Sequence, residues 1–140
     1  MKLSELEKRR LIKKHPIDTK KTEDAIALAN RDISTAIDLL QTKDFDWAYN
    51  IAYNAMLQSA RALMFSKGYR PGGEAQHVSV VRFCETVLGA DFEKDNIMFD
   101  RMRRKRHALV YDVAGSMSQT EAHNAVMRAK EFVEKIKKLV

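Results

Sequence analysis

Only two prolines and five glycines interrupt the 140 residues of this chain. Proline breaks a helix by losing an amide hydrogen and crowding the turn before it; glycine weakens one through its backbone entropy. Where both are this sparse, most of the chain is free to form long helices. Apolar residues within those stretches recur three and four positions apart. Ile26, Ala29, Ile33, Ala36, Ile37 and Leu40 make one stripe, and Tyr49, Ala52, Tyr53, Met56, Ala60, Leu63 and Met64 the next. Ala122, Ala125, Val126, Ala129, Phe132, Val133 and Ile136 make the last. No segment sustains a period of two, so no sheet is expected.

Local signals set the boundaries. Met1–Lys14 reads as a short amphipathic helix stopped ahead of Pro16, because the residue before a proline is pushed out of helical geometry. Thr19 or Thr22 serves as the cap of a helix running to about Gln41, and Asp44 or Asp46 caps one ending at Gly68. A shorter helix is expected over Ala75–Leu88 and another from near Asp91 to about Val113. Ser118 with Glu121 three residues on has the form of a capping box for the last helix. The expected fold is all-α, an antiparallel four- to five-helix up-and-down bundle. Residues 1–18 form an N-terminal extension with a short helix, and 19–140 the bundle domain.

With 45% hydrophobic and 31% charged residues the chain is globular rather than disordered. No apolar run nears the roughly 20 residues that span a bilayer, and the first residues lack the apolar core of a signal peptide, so no membrane association and a cytoplasmic location are expected. A single cysteine, Cys84, is compatible with a reducing compartment. There is no HExxH, CxxC, paired Glu-x-x-His or Walker loop, and the four histidines, His15, His77, His107 and His123, are scattered. Neither a metal nor a cofactor is expected.

The formal charge of +6 favours an anionic partner such as RNA, although many basic domains bind none. The distribution is more telling than the total. In Asp100-Arg-Met-Arg-Arg-Lys-Arg-His-Ala-Leu-Val-Tyr-Asp112, five cations fall within six residues of chain, at Arg101, Arg103, Arg104, Lys105 and Arg106. On a helix Arg103, His107 and Tyr111 lie one turn apart on one face. Arginine offers planar charge-assisted donors, histidine a proton carrier near neutral pH and tyrosine a phenolic donor, a set suited to phosphate. The same pattern also describes a solvated basic helix with a packed tyrosine, the commoner use of a charge run. Trp47, Tyr49 and Tyr53 have the chemistry to stack on a base, but aromatics at helical spacing more often build a core. His77 reads as a capping or packing residue at a helix start, and Cys84 as a small buried side chain.

The Arg-His-Ala-Leu-Val-Tyr-Asp stretch on the fourth bundle helix, the order of helices and the segment Gly68-Tyr-Arg-Pro leading to His77 resemble the HEPN superfamily (higher eukaryotes and prokaryotes nucleotide-binding) over about Thr19 to Leu139. In its ribonucleases that resemblance implies an arginine, four to six residues, then a histidine, acting without metal at a cleft between two protomers. The ribose 2′-OH attacks the adjacent phosphate, arginine stabilises the charge and histidine moves protons. Two alignments compete. Arg101 pairs with His107 across five residues, with Met102 in the usual polar position. Alternatively Arg106 is the motif arginine, His107 its polar neighbour, and Tyr111 stands where the histidine belongs. The second matches both positions ahead of the spacer and is preferred. With a solution pKa of about 10, tyrosine is a poor proton shuttle at neutral pH.

The resemblance thus implies a HEPN-like RNA- or nucleotide-associated protein that is a degenerate, non-catalytic member. It would act as a binding or partner subunit of a toxin–antitoxin-type system, with Arg103, Arg106, His107 and Tyr111 as ligand-binding residues. A homodimer is expected. Two alternatives stay open: a metal-independent endoribonuclease using Arg101 and His107 at the dimer interface, and a structural dimerising bundle that partners a nucleotidyltransferase-type protein.

Overall fold

Helix formation in this chain begins where a side chain can satisfy the loose amides of a first turn. The computed structural model describes residues 2–111 and 115–140, the side chains of Val110 and Tyr111 excepted. Asp18 caps helix α2, Thr19–Gln41 (α1 being Leu3–Lys8), by accepting the Lys21 amide at 2.9 Å. The cap therefore precedes both threonines, and Thr22 instead turns its hydroxyl back to the Asp18 carbonyl at 2.8 Å. Helix α3 covers Phe45–Ser66, α4 Gln76–Val87, α5 Glu93–Tyr111 and α6 Gln119–Lys137, with one 3₁₀ turn at Ala90–Phe92 ahead of α5. Ser118 caps α6 by accepting the Glu121 amide at 3.1 Å, while its own hydroxyl donates to the Glu121 carboxylate. These helices form an all-α bundle.

Helix α3 is the axis of the bundle, contacting α2, α4, α5 and α6. Alanines at 48, 52, 55, 60 and 62, all buried, let the neighbouring backbones close in around it. Phe99 of α5 is fully buried, with its ring 5.7 Å from Tyr53 of α3 and 5.5 Å from Phe132 of α6, centroid to centroid. These tilted aromatic contacts fix α5 against two helices at once.

The N-terminal segment differs from the expected helix. α1 ends at Lys8, Arg10 takes a left-handed backbone with φ of 59°, and Ile12–Lys14 becomes a strand, β1. It pairs antiparallel with β2, Tyr69–Pro71, in the register Ile12 with Pro71, Lys13 with Arg70 and Lys14 with Tyr69. Flanking bonds extend the pairing, from the Gly72 amide to the Leu11 carbonyl and from the His15 amide to the Gly68 carbonyl, both at 2.9 Å. Strands of three residues are too short to show a period, so the ribbon leaves no pattern to read. What drives it is burial: Leu6 and Ile12 are enclosed in the same core cluster as α3. Gly68, at φ 84°, makes the turn that leads α3 into β2, a conformation costly for a residue with a Cβ.

Candidate anion-binding site

Helix α5 presents two chemically distinct faces. Phe99 and Met102 point into the core with no exposed surface, which turns Asp100, Arg103 and Arg106 toward α3 and α4 at half-buried positions. Arg101, Arg104 and His107 are exposed. Arg103 donates to one Asp100 oxygen through both Nε (3.1 Å) and Nη2 (2.9 Å). The same carboxylate lies 3.6 Å from Arg104 and 3.7 Å from Arg82, whose closer partner is Glu85. Arg106 is held differently: its Nε donates to Asn50 Oδ1 at 3.1 Å, a neutral partner. No described carboxylate pairs with it.

Facing these arginines is a dyad from α3 and α4. The Tyr53 hydroxyl and His77 Nδ1 are 2.8 Å apart, their rings nearly parallel at 21° and 5.7 Å between centroids. Burial, then the positive charges of Arg106, Arg103 and Arg61, holds the His77 pKa below its usual value, so the ring stays neutral. Burial likewise pushes the Tyr53 pKa upward, against the pull of Arg106 and Arg103, and keeps the phenol protonated. When Tyr53 donates to Nδ1, the ring hydrogen of His77 sits on Nε2 and becomes a donor. Arg61, whose charge also reaches His77, lies over the Phe65 ring on the side of α3 that faces α2. The result is a set of cationic and neutral donors with a single carboxylate among them, an arrangement suited to a phosphate or carboxylate ligand.

Of the residues the sequence singled out, Arg103 and Arg106 come together on this inner face. His107 follows at the exposed side of the same helix, one turn beyond Arg103. Arg101 lies on the opposite flank, where its charge acts on Tyr49; burial, then Glu121, pushes the Tyr49 pKa up to about 12. Six residues apart, Arg101 and His107 leave the helix about 120° from each other. Tyr111 closes α5, but its side chain lies outside the described residues, as does Asp112 altogether. Lys105 ties the C-terminal half of α5 to α6 through Glu121 at 2.5 Å.

The family model described as "HEPN domain" matches residues 22–139. The chain belongs to the HEPN family. The crystal structure of TT1696 from Thermus thermophilus superposes with a TM-score of 0.69 at 15% identity, covering 86% of this chain and 98% of that one. At that identity the likeness is one of fold alone. No curated protein matches the sequence significantly.

Sequence reasoning did not bring Tyr53, His77 and Asn50 to this site. Tyr53 falls on the core stripe of its helix, and it is indeed buried. His77 packs in the first turn of α4, as its position suggested. No local spacing announces that Asn50 meets Arg106 or that Tyr53 meets His77, since 56 and 24 residues separate the partners.

Proposed function

We propose that this HEPN protein is a cytoplasmic, non-catalytic RNA- or nucleotide-binding subunit that takes a phosphate group against Arg103 and Arg106, with His107 and Tyr111 as further ligand-binding residues. The observation that carries this reading is the Arg106 side chain: its position is fixed by Asn50 while its charge has no described carboxylate to neutralise it. Fixing the guanidinium through Nε lowers the entropy lost when its remaining N–H groups meet an anion. A role as partner subunit in a toxin–antitoxin-type system, beside a nucleotidyltransferase-type protein, accords with such a site. So does a two-fold homodimer in which the α5 helices approach each other and double the donor set.

Calorimetric titration with a mononucleotide tests the reading. Binding should be lost in Arg106→Ala and weakened by about 0.5–1.5 kcal/mol in Tyr111→Phe, the value of one hydrogen bond. Unchanged affinity in Arg106→Ala would remove the site. Light scattering that finds only monomer at micromolar concentration would remove the dimer.

The exposure of Arg101 and His107 favours a second reading, metal-independent RNA cleavage. Their 120° separation on one helix means that a cleft using both would draw them from two protomers. RNA cleavage in EDTA, abolished in His107→Ala, would establish it over the binding reading.

A further inference from the structure

A second cationic surface lies on the β-ribbon and owes nothing to the arginine run of α5. The register sets Lys13 directly opposite Arg70, and both side chains are exposed. Like charges facing each other across an antiparallel pair oppose the pairing. A carboxylate at either position would remove that repulsion. Neither Lys13 nor Arg70, nor the neighbouring Lys14 and Lys67, forms an ion pair among the described residues, whereas cations on α2, α4, α5 and α6 do.

Lys14 and Tyr69, the next pair of the register, point to the opposite face of the ribbon, where with His15 and Lys67 they line an open depression of about 520 Å³. His15 Nδ1 is 2.7 Å from the Pro16 carbonyl, which fixes the ring and leaves Nε2 pointing away from that bond. Burial, then Glu7, raises the Tyr69 pKa, and Glu7 is the carboxylate that borders this end of the ribbon. The lysine stems are themselves positioned. A Cβ placed on Gly72 would lie 2.8 Å from the Arg10 carbonyl and 3.2 Å from Lys13 Cγ, so the glycine lets the Lys13 stem lie across the ribbon.

We propose that this ribbon, with Lys13 and Arg70 on one face and Lys14 on the other, is a second binding surface, for the phosphate backbone of a polynucleotide, separate from the α5 site. Cations brought together from two distant segments, set against one another and forming no ion pair among the described residues, match a ligand that carries repeated negative charge. Lysine binds such a ligand as a point charge and Arg70 as a fork, without reading sequence. An anionic membrane is the weaker match. Interfacial binding draws on a buried apolar face, and among the described residues lining this depression Ile17 is the one large exposed hydrophobic.

Fluorescence anisotropy with labelled oligouridylate, run over a salt series on the full chain, tests the proposal. Uridine minimises stacking, so the readout isolates backbone contacts. The doubly reversed variant Lys13→Glu with Arg70→Glu should bind about tenfold more weakly at low salt, and its salt slope should fall by roughly 0.7 for each phosphate no longer neutralised. The single variant Lys13→Glu separates recognition from folding, since it sets a carboxylate opposite Arg70. Its thermal midpoint should rise while its RNA affinity falls. A raised midpoint with unchanged affinity and slope overturns the proposal and leaves the ribbon a structural clasp. Binding by the wild type to phosphatidylserine vesicles, with none to oligouridylate, overturns it in favour of a membrane. Titration with UMP keeps this surface distinct from the α5 site. Loss of UMP binding in Arg106→Ala, with ribbon variants unaffected, is expected. Oligouridylate binding that depends on Arg106 alone overturns the ribbon surface without touching the α5 site.

Discussion

The two cationic surfaces of this HEPN protein are built in opposite ways. On α5 the charges are consecutive in sequence, and the helix sorts them by angle: Arg103 and Arg106 inward, Arg101 and Arg104 outward. On the ribbon they come from chain positions more than 50 residues apart, and strand pairing assembles them. The first surface is mounted on aromatic packing and the second on a glycine and two short strands. A dense run of charge is thus visible in the residues themselves, but only packing decides which of its members face a ligand.

The largest expected effect tests the mounting of α5. Phe99→Ala removes the ring between Tyr53 and Phe132 and should cost about 3–5 kcal/mol in denaturant unfolding. A loss below about 1 kcal/mol would mean that α5 is not held by this packing. Gly72→Ala is the matching change on the ribbon. Its methyl would press on the Arg10 carbonyl and the Lys13 stem, a strain of about 1–3 kcal/mol. If it proves neutral, the ribbon is more pliable than its geometry implies.

Tyr53→Phe keeps the ring and deletes only the bond to His77, so about 0.5–1.5 kcal/mol of folding stability should go with it. A pH titration adds a subtler readout of the same dyad. The folded state holds the His77 pKa below the unfolded value of about 6.5. As pH drops below that value the unfolded chain takes up the proton first, so His77 subtracts stability on the acid side and contributes no slope above it. Chemical denaturation at several pH values should show that decline diminished in His77→Gln, and diminished also when a phosphate ligand offsets the arginines. The smallest effect belongs to the outer face of α5. Arg104 is largely exposed and only 3.6 Å from an already shared carboxylate, so Arg104→Ala should stay within about 0.5 kcal/mol of wild type.

Helix periodicity made the bundle legible from residues alone, because stripes such as Ala122 to Ile136 run for several turns. Ser118 and Glu121 placed the start of α6 through their local chemistry. The N-terminal strand was illegible for the converse reason. Ile12-Lys-Lys continues the helical charge pattern of Leu3–Lys8, and what redirects it is the left-handed turn at Arg10 together with burial against distant residues. The basic segment of α5 was visible as a run, and helix geometry supplied its angular order. The opposing wall, Asn50, Tyr53 and His77, was hidden because each of these residues has an ordinary local role as well, on a core stripe or at a helix start.

Asp46, at the start of α3, accepts the amides of Gly115 and Met117 and so anchors the segment that leads into α6. The next residue, Trp47, is the sole tryptophan of the chain and is 54% exposed. The molecule therefore carries an intrinsic optical reporter at the junction of α3 with the approach to α6. Any partner that docks there should register as a change in indole emission without a label being attached.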